Sequence, residues 1–335
     1  MTIDEFKSIF YWEWSHRILG RVIGLAFLLP LPYFYARKRI SGRTSTALLA
    51  IGTLIGGQGA LGWYMVKSGL TDDEVRKRDG IARVSQYRLA AHLGMAFTVY
   101  VMCLRTAFGI RRDWALAHGK PLKGLHTLTE SLARLESPQA ARLRFVLTAL
   151  ASLVFVTALS GAFVAGLDAG LIYNEFPTMG EGRIAPPRSE LLQDKYSRRE
   201  DKRDLWWRNM LENPVTVQLD HRALAMTTFA CIIGAFMYAR RPAMAASVPP
   251  AAIRLAKGTM HMSVLQVALG ISTLIYLVPP HLAATHQTGS LVLLSLAVLA
   301  ASALRRPSDA ARAVMRARAI QASGSRAGVS PSSLK

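Results

Sequence analysis

Seven apolar runs of about 20 residues each constrain the fold more than any other feature of this sequence. They lie near residues 16–36, 47–67, 89–109, 145–167, 220–239, 259–279 and 283–304. A helix of about 20 residues rises about 1.5 Å per residue and can therefore cross a hydrocarbon core of about 30 Å. The sequence thus predicts an all-α membrane protein with about seven transmembrane helices.

The basic residues indicate how these helices are oriented. The chain has 41 Lys and Arg against 21 Asp and Glu, a formal net charge of +20. Clusters of Lys and Arg follow the first, third, fifth and seventh runs, and the other connections have mixed charge or none. By the positive-inside rule the basic loops face the cytoplasm or the matrix, and the N-terminus lies outside. Aromatic residues are not interleaved with this charge, so no nucleic-acid partner is expected.

The sequence contains an internal repeat. Three markers recur in the same order about 200 residues apart: a His-Arg pair, a Gln-x-Ala-Leu-Gly motif and a histidine near the start of a span. The first copy has them at His16-Arg17, Gln58 and His92, and the second at His221-Arg222, Gln266 and His286. Such self-similarity predicts two pseudo-symmetric helical-bundle halves.

The two halves differ in their number of spans. The second half has a span, residues 145–167, before its His-Arg helix, and the first half has no counterpart. We therefore expect that this chain lacks a first helix and that the complete gene encodes one upstream of Met1. The predicted organisation is an N-terminal half at 1–110, a basic inner loop at 111–144, a C-terminal half at 145–306 with a long outer loop at 168–218, and a disordered basic tail at 307–335.

The four repeated histidines are candidate iron ligands. The spans that they open all run from outside to inside, so the four imidazoles fall in the outer part of the membrane. Within each half, two histidines on neighbouring helices could ligate one haem iron axially, since bundle interiors are where such sites are built. Hydrogen bonding between helices would explain any one of these histidines. It explains four at matched positions less well.

Six stretches of the chain resemble the haem A synthase family, in the form found in mitochondria and related bacteria. They are Glu13-Trp14-Ser15-His16-Arg17, Leu61 to Leu70, Arg83 to His92, Leu159 to Tyr173, Gln218 to Arg222 and Leu282 to Gln287. The resemblance covers nearly all of residues 3–306 and implies eight helices in two pseudo-symmetric halves, one helix being absent here. It also implies a membrane oxidoreductase that converts a ring methyl of haem O to the formyl group of haem A for cytochrome c oxidase assembly.

The resemblance further implies roles for individual residues. His16 and His92 would hold the substrate haem O and its product haem A. His221 and His286 would hold a resident haem b that serves electron transfer. Glu13 matches the essential carboxylate of the family.

Glu13 lies one helical turn from His16, and Gln218 stands at the matched position of the second half. A carboxylate beside the oxidised carbon could stabilise charge or accept the released proton, whereas an amide can only hydrogen-bond. The alternative interpretation is an ordinary pair between Glu13 and Arg17, four residues apart. Arg17 and Arg222 are candidate propionate partners, unless they simply extend to the membrane interface.

The resemblance implies several partners and a location. The partners are haem O synthase, a ferredoxin-type or other electron donor, cytochrome c oxidase assembly factors and membrane lipid, and a homo-oligomer is left open. The implied location is the mitochondrial inner membrane, with a bacterial cytoplasmic membrane as the alternative. The alternative function is a di-haem b-type membrane electron-transfer subunit, which needs the four histidines but no acid in one half only.

Overall fold

The helices of the computed structural model account for all its regular elements within residues 2–40, 42–69 and 84–327, the part of the chain that the structure describes. The α-helices are α1 (Ile3–Leu28), α2 (Leu31–Ala36), α3 (Gly42–Gly69), α4 (Gln86–Ala117), α5 (Leu128–Glu136), α6 (Pro138–Gly166), α7 (Arg188–Leu191), α8 (Leu205–Glu212), α9 (Pro214–Ala239), α10 (Pro242–Ser247), α11 (Pro250–Ile275), α12 (Pro280–Ser302) and α13 (Asp309–Ala327). Two short 3₁₀ helices, Ala169–Leu171 and Asp194–Tyr196, lie between α6 and α8.

Seven segments among the described residues are long and apolar enough to cross a membrane. They are α1 together with α2, and then α3, α4, α6, α9, α11 and α12. Most of these helices begin several residues before the apolar runs that predict them, because polar residues of the first turn extend the helix beyond its apolar part. The prediction of an all-α, multi-pass membrane protein is confirmed.

Prolines mark the starts of the spanning helices in the C-terminal part of the chain. Pro138, Pro214, Pro250 and Pro280 each occupy the first turn of their helix. Proline is suited to this position because its ring presets the helical φ and the missing N–H would have had no partner there. Asn213 caps α9 by accepting a hydrogen bond from the Val215 N–H at 3.0 Å. The helix that carries His221 therefore has a defined start.

The chain divides into two compact units, Met1–Thr106 and Ala107–Lys335. In the second unit, α6 and α11 each pack against both α9 and α12, so α9 and α12 occupy opposite corners of a four-helix bundle. Its core is aliphatic and includes the buried side chains of Leu143, Leu147, Ile232 and Leu294. In the first unit α1 packs against α3.

The predicted disordered tail is wrong for much of its length, because α13 occupies residues 309–327. Alanine and arginine dominate this segment and both favour helix. Ser308 accepts a hydrogen bond from the Ala311 N–H at 3.3 Å, and the Arg318 guanidinium donates to the Ala117 carbonyl at 3.1 Å. The helix is thus capped at its start and held against the end of α4. Residues 328–335 lie outside the described part of the chain.

The predicted basic inner loop is also largely helical. Within 111–144, α4 continues to Ala117, α5 occupies 128–136 and α6 begins at Pro138. Thr127 caps α5 by accepting from the Glu130 N–H at 3.1 Å, and Glu130 in turn accepts from the His126 N–H at 3.2 Å. This reciprocal pair resembles a capping box and starts a short helix in a polar stretch that has no apolar run.

Candidate functional site

His221 and His286 lie about two turns inside the N-termini of α9 and α12. These two helices stand at opposite corners of the bundle, and each is preceded by an outer connection. The two imidazoles therefore lie near the same end of the second unit, each beside one of the helices that separate α9 from α12. Both residues are partly exposed.

Three of the four repeated histidines each lie against a different glycine of a neighbouring helix. A Cβ atom placed on Gly270 would lie 2.9 Å from Cε1 of His286, and one on Gly161 would lie 3.2 Å from Cε1 of His221. In the first unit, a Cβ on Gly62 would lie 2.9 Å from Cε1 of His92. Any larger residue at these positions would have to displace the ring.

A glutamine four residues before the glycine binds the same histidine in both units. Gln266 Nε2 donates to the His286 carbonyl at 2.8 Å and lies 3.1 Å from the ring nitrogen Nδ1. Gln58 Nε2 donates to the His92 carbonyl at 3.1 Å and lies 3.2 Å from the ring nitrogen Nε2. The Gln-x-Ala-Leu-Gly marker of the repeat thus places its glutamine and its glycine against one histidine.

This role of the glutamine and the glycine is not predicted from the sequence, in which the two residues serve only as markers of the repeat. The available signal was their spacing, because residues four apart lie on one face of a helix. What the spacing could not identify was the residue that this face contacts.

His221 has a different partner on α6. Ser160 Oγ lies 2.7 Å from Nδ1 of His221 and donates its hydrogen to the Thr157 carbonyl at 2.7 Å. Because a hydroxyl has one hydrogen, Ser160 must accept from Nδ1–H of the imidazole. The lone pair of this neutral imidazole is then on Nε2, as a metal ligand requires.

In the first unit the rings of His16 and His92 lie 6.4 Å apart between centroids, with 62° between their planes. Two imidazoles on opposite sides of one metal ion, each with a metal–nitrogen bond of about 2 Å, have centroids roughly 6 Å apart. The structure thus brings together the two histidines that the repeat predicts for this half. Their separation is compatible with both imidazoles binding the same metal ion.

Glu13 lies one turn before His16 on α1, as predicted, and pairs with Arg17. The distance from Glu13 Oε2 to the Arg17 guanidinium is 3.1 Å, and the two side chains are 60% and 54% exposed. The pair named above as the alternative interpretation is therefore formed. Its contribution to stability is small at this exposure, a few tenths of a kcal/mol for a pair four residues apart on a helix.

Arg222 binds the outer segment of the chain, residues 168–213. Its guanidinium donates to the carbonyls of Thr178 at 3.0 Å and Tyr173 at 2.9 Å. Gln218, which is buried, also donates to the Tyr173 carbonyl at 3.0 Å. The matched residues Arg17 and Glu13 instead bind each other.

Several buried polar atoms around these histidines have no hydrogen-bond partner among the described residues. They are Gln58 Oε1, His92 Nδ1, Gln218 Oε1, Arg222 Nε and Gln266 Oε1. Buried polar atoms without partners are uncommon, and they are expected where a ligand supplies the missing contact. Within the described residues no group of three or more His, Cys, Asp or Glu side chains could hold a metal ion.

The family model of the cytochrome oxidase assembly protein COX15-CtaA matches residues 1–298. The chain belongs to this family. It is 44% identical over 307 residues to the heme A synthase COX15 of Saccharomyces cerevisiae, covering 92% of this chain and 62% of that protein. It is 45% identical to a heme A synthase-mitochondrial ferredoxin fusion protein of Schizosaccharomyces pombe, covering 91% of this chain and 48% of that protein.

Bacterial members of the family are also similar to this chain. The heme A synthase of Nitrosospira multiformis is 38% identical over 307 residues, which cover 91% of this chain and 74% of that protein. The chain spans less than two thirds of the length of the two yeast proteins.

This family member has a well-ordered polar network in its outer segment. The buried Asp204 accepts hydrogen bonds from Ser197 Oγ at 2.6 Å, the Arg198 N–H at 3.0 Å and Arg208 Nε at 2.6 Å. Burial acts to raise the pKa of Asp204, but these hydrogen bonds outweigh it and hold the pKa below its usual value. The residues near 193–204 thus fold around the carboxylate of Asp204.

The outer segment is also fixed near its start. Tyr173, whose carbonyl accepts from Arg222 and Gln218, donates its hydroxyl to Glu190. This hydrogen bond to a carboxylate raises the pKa of Tyr173 to about 12. Asn174 donates to the Leu274 carbonyl at 2.9 Å, at the end of α11. The outer segment therefore contacts α9, through Gln218 and Arg222, and the end of α11, through the Leu274 carbonyl.

Proposed function

We propose that this chain is a haem A synthase, which oxidises a ring methyl of haem O to the formyl group of haem A for cytochrome c oxidase assembly. The names of the relatives support this activity for the family. The observation that carries it in this chain is the His16–His92 pair, 6.4 Å apart between ring centroids, with a carboxylate one turn away on α1. The second unit repeats the histidines but has Gln218 in place of the carboxylate.

In the second half, we propose that His221 and His286 hold a resident haem b. The residues fit this group, because Ser160 leaves Nε2 of His221 free to ligate and the glycines beside both rings keep space around them. Haem b, when bound, supplies one-electron transfer. Ser160 would fix the proton of His221 on Nδ1.

In the first half, His16 and His92 would hold the substrate haem O through its iron, and Glu13, one turn before His16 on α1, would supply a carboxylate for its oxidation. Oxidation of a methyl group to a formyl group removes four electrons and adds one oxygen atom, which an external oxidant would have to supply. A carboxylate nearby can accept a proton that is released, on Oε2, or stabilise developing positive charge. Arg17 forms an ion pair with Glu13 at 3.1 Å and so restricts where this carboxylate can lie. Gln218 lacks this capacity, which suits a half whose haem does not react.

Arg17 and Arg222 are our candidates for the propionate groups, because a guanidinium forms strong charge-assisted hydrogen bonds with carboxylates. Arg222 has a second role, since its terminal nitrogens bind the carbonyls of Tyr173 and Thr178. Its Nε, buried and without a described partner, is the donor that stays available.

The proposed organisation keeps residues 1–110 as the substrate half and 145–306 as the haem b half. Haem O synthase supplies the substrate, and the acceptors are assembly factors of cytochrome c oxidase. A ferredoxin-type protein is the proposed electron donor, because one relative is a fusion with mitochondrial ferredoxin. The proposed location is the mitochondrial inner membrane, and a bacterial cytoplasmic membrane is the alternative.

The test is to express this chain in a host that lacks its own haem A synthase, purify it, and identify its extracted haems by mass spectrometry. Haem A or haem O together with haem b is the expected result. Haem b alone would contradict the synthase and favour the di-haem electron-transfer subunit, for which the four paired histidines would suffice.

A further inference from the structure

We propose that Gln266 and Gln58 are positioning residues for the axial histidines: with haem bound, the amide oxygen of each accepts the N–H of the ring nitrogen that faces away from the iron. The inference rests on the proposed function, because it takes His286 and His92 as iron ligands. It assigns a role to residues that touch neither iron nor substrate.

The position of the proton on an imidazole depends on which ring nitrogen binds a metal. A neutral imidazole has one N–H and one lone pair, and a metal takes the lone pair. The second nitrogen of a bound histidine must therefore carry hydrogen, and a buried N–H without an acceptor costs about 1–3 kcal/mol. Ser160 Oγ is that acceptor for His221.

For His286 the available acceptor is the amide of Gln266. Its nitrogen lies 3.1 Å from Nδ1 and donates to the His286 carbonyl, whereas its oxygen is buried and has no partner among the described residues. An N–H cannot donate to an N–H, so this arrangement suits an imidazole whose Nδ1 is unprotonated. Binding of iron at Nε2 moves the proton to Nδ1. Rotation of the amide by half a turn then brings Oε1 to Nδ1–H.

The rotation breaks the hydrogen bond from the Gln266 amide to the His286 carbonyl, which costs little. The carbonyl of His286 lies inside α12, where the helix already supplies a donor from the residue four positions later. The amide oxygen gains the partner that it lacks. Gly289 permits the side chain to lie here at all, because a Cβ at that position would clash with Gln266 Oε1.

A glutamine contact recurs in the first unit, but at the other ring nitrogen. Gln58 donates its amide N–H to the His92 carbonyl and lies 3.2 Å from Nε2 of the ring, and its amide oxygen is buried without a described partner. The same role would therefore leave iron to Nδ1 of His92, a buried atom that also has no described partner. Hydrogen bonds from the second nitrogen of a ligand raise its basicity and so tune the metal. We expect each glutamine to tune its own haem.

The experiment compares Gln266→Glu and Gln266→Leu in the purified, haem-loaded full chain. A carboxylate is a stronger acceptor than an amide, so Gln266→Glu should lower the midpoint potential of haem b and keep its six-coordinate low-spin absorption spectrum. Gln266→Leu removes the acceptor and should raise the potential and weaken retention of haem b. Gln58→Glu should shift only the other haem.

Gln287→Leu is the matched control, since this exposed glutamine is the neighbour of His286 in sequence. It should leave both potentials unchanged. Gly289→Ala displaces Gln266 without removing it and should raise the potential as Gln266→Leu does, so it serves if a buried carboxylate prevents folding. Gly234→Ala, with no atom within 4 Å of the added Cβ, is its control.

A wild-type potential in Gln266→Glu, Gln266→Leu and Gly289→Ala would overturn the positioning role and leave the haem ligands standing. A purely packing role would also leave the potential of the isosteric Gln266→Glu unchanged. If the wild-type chain itself shows no six-coordinate haem, the proposed function fails first, and the positioning role fails with it.

Discussion

The two units hold their second histidine in the same way and their first histidine in different ways. His92 and His286 each lie between a glutamine and a glycine on the preceding helix. His221 is bonded to Ser160 of α6, whereas His16 lies exposed on α1 and contacts the ring of His92. None of the described side chains of α1 is buried.

The polar residues beside the first histidine also have different partners in the two units. In the second unit Gln218 and Arg222 are committed to the outer segment through the carbonyl of Tyr173. In the first unit Glu13 and Arg17 bind each other, and both side chains are more than half exposed. The constant part of the repeat therefore holds the second histidine, and the variable part determines the polar contacts near the first. A fixed surrounding suits a resident cofactor, and an open carboxylate suits a reacting substrate.

The largest expected effect is from removal of a ligand in the well-enclosed unit. His286→Ala should abolish the six-coordinate low-spin spectrum of haem b in the purified protein, because the methyl group of alanine cannot ligate iron. His281→Ala is the control, since this histidine is exposed at the start of the same helix. A six-coordinate spectrum retained in His286→Ala would break the pairing of His221 with His286.

Glu13→Gln tests the other side of the comparison by giving the first unit the residue of the second. Both haems should still bind, but haem A output should fall by about 100-fold or more, the usual contribution of a general acid or base. Output is measured as the ratio of haem A to haem O in extracts. Asp4→Asn, at an exposed pair with Lys7, is the control. Normal output from Glu13→Gln would leave only the surface pair with Arg17 as a role for this carboxylate.

The sequence could predict the spans and the histidines because both are periodic. Apolar runs of membrane-spanning length have few alternatives to helix, and ionisable residues inside them are costly enough to mark a site. The repeat then paired His16 with His92 and His221 with His286, and the structure brings the first pair to 6.4 Å. The catalytic and haem-binding roles of these residues stay predictions.

The contacts between helices could not be predicted in the same way. Ser160 and Gly161 are small residues of the kind that allows close helix packing, and nothing local shows that they contact His221, about 60 residues later in the chain. The helix α13 was missed because a polar, basic composition was taken as disorder, although alanine and arginine both favour helix. Local helix propensity determines α13, and long-range packing determines the contacts of His221. The periodicity of apolar residues gives information about neither.

Gly270→Ala and Gly62→Ala probe the part that the two units share. Each adds a Cβ 2.9 Å from a histidine ring, which must move or strain its helix. Overpacking of this kind costs about 1–3 kcal/mol, and haem should dissociate roughly 5–150 times faster if the whole cost falls on the bound state. Dissociation is followed by transfer of haem to an acceptor protein.

Two further glycines calibrate that result. Gly161→Ala, with its Cβ 3.2 Å from His221, should have a smaller effect, and Gly59→Ala, with no atom within 4 Å, should have none. Equal dissociation from Gly59→Ala and Gly62→Ala would mean that room for the ring is not what the glycine of the motif provides.

The smallest effect concerns the outer segment, which binds Arg222 and Gln218 in the second unit. The pKa of Asp204 lies below its usual value of about 4. A depressed carboxyl pKa stabilises the fold above the pKa of the unfolded chain, and the stabilisation is lost as the pH falls through the pKa of the folded state. The contribution of Asp204 is therefore complete at pH 7 and decreases below about pH 4.

Asp204→Asn should remove this contribution without disturbing the bundle. Hydrogen exchange in residues 193–213, corrected for intrinsic rates, should be faster in the variant at pH 7, and the difference from wild type should shrink as the pH falls below 4. Asp194→Asn is the control, because its pair with Lys202 is 67% exposed on the carboxylate side. Since the described hydrogen bonds of Asp204 go to Ser197, Arg198 and Arg208 and none goes to α9, the haem b spectrum should not change. A changed spectrum would mean that the outer segment helps to fix the ligand as well as the arginine beside it.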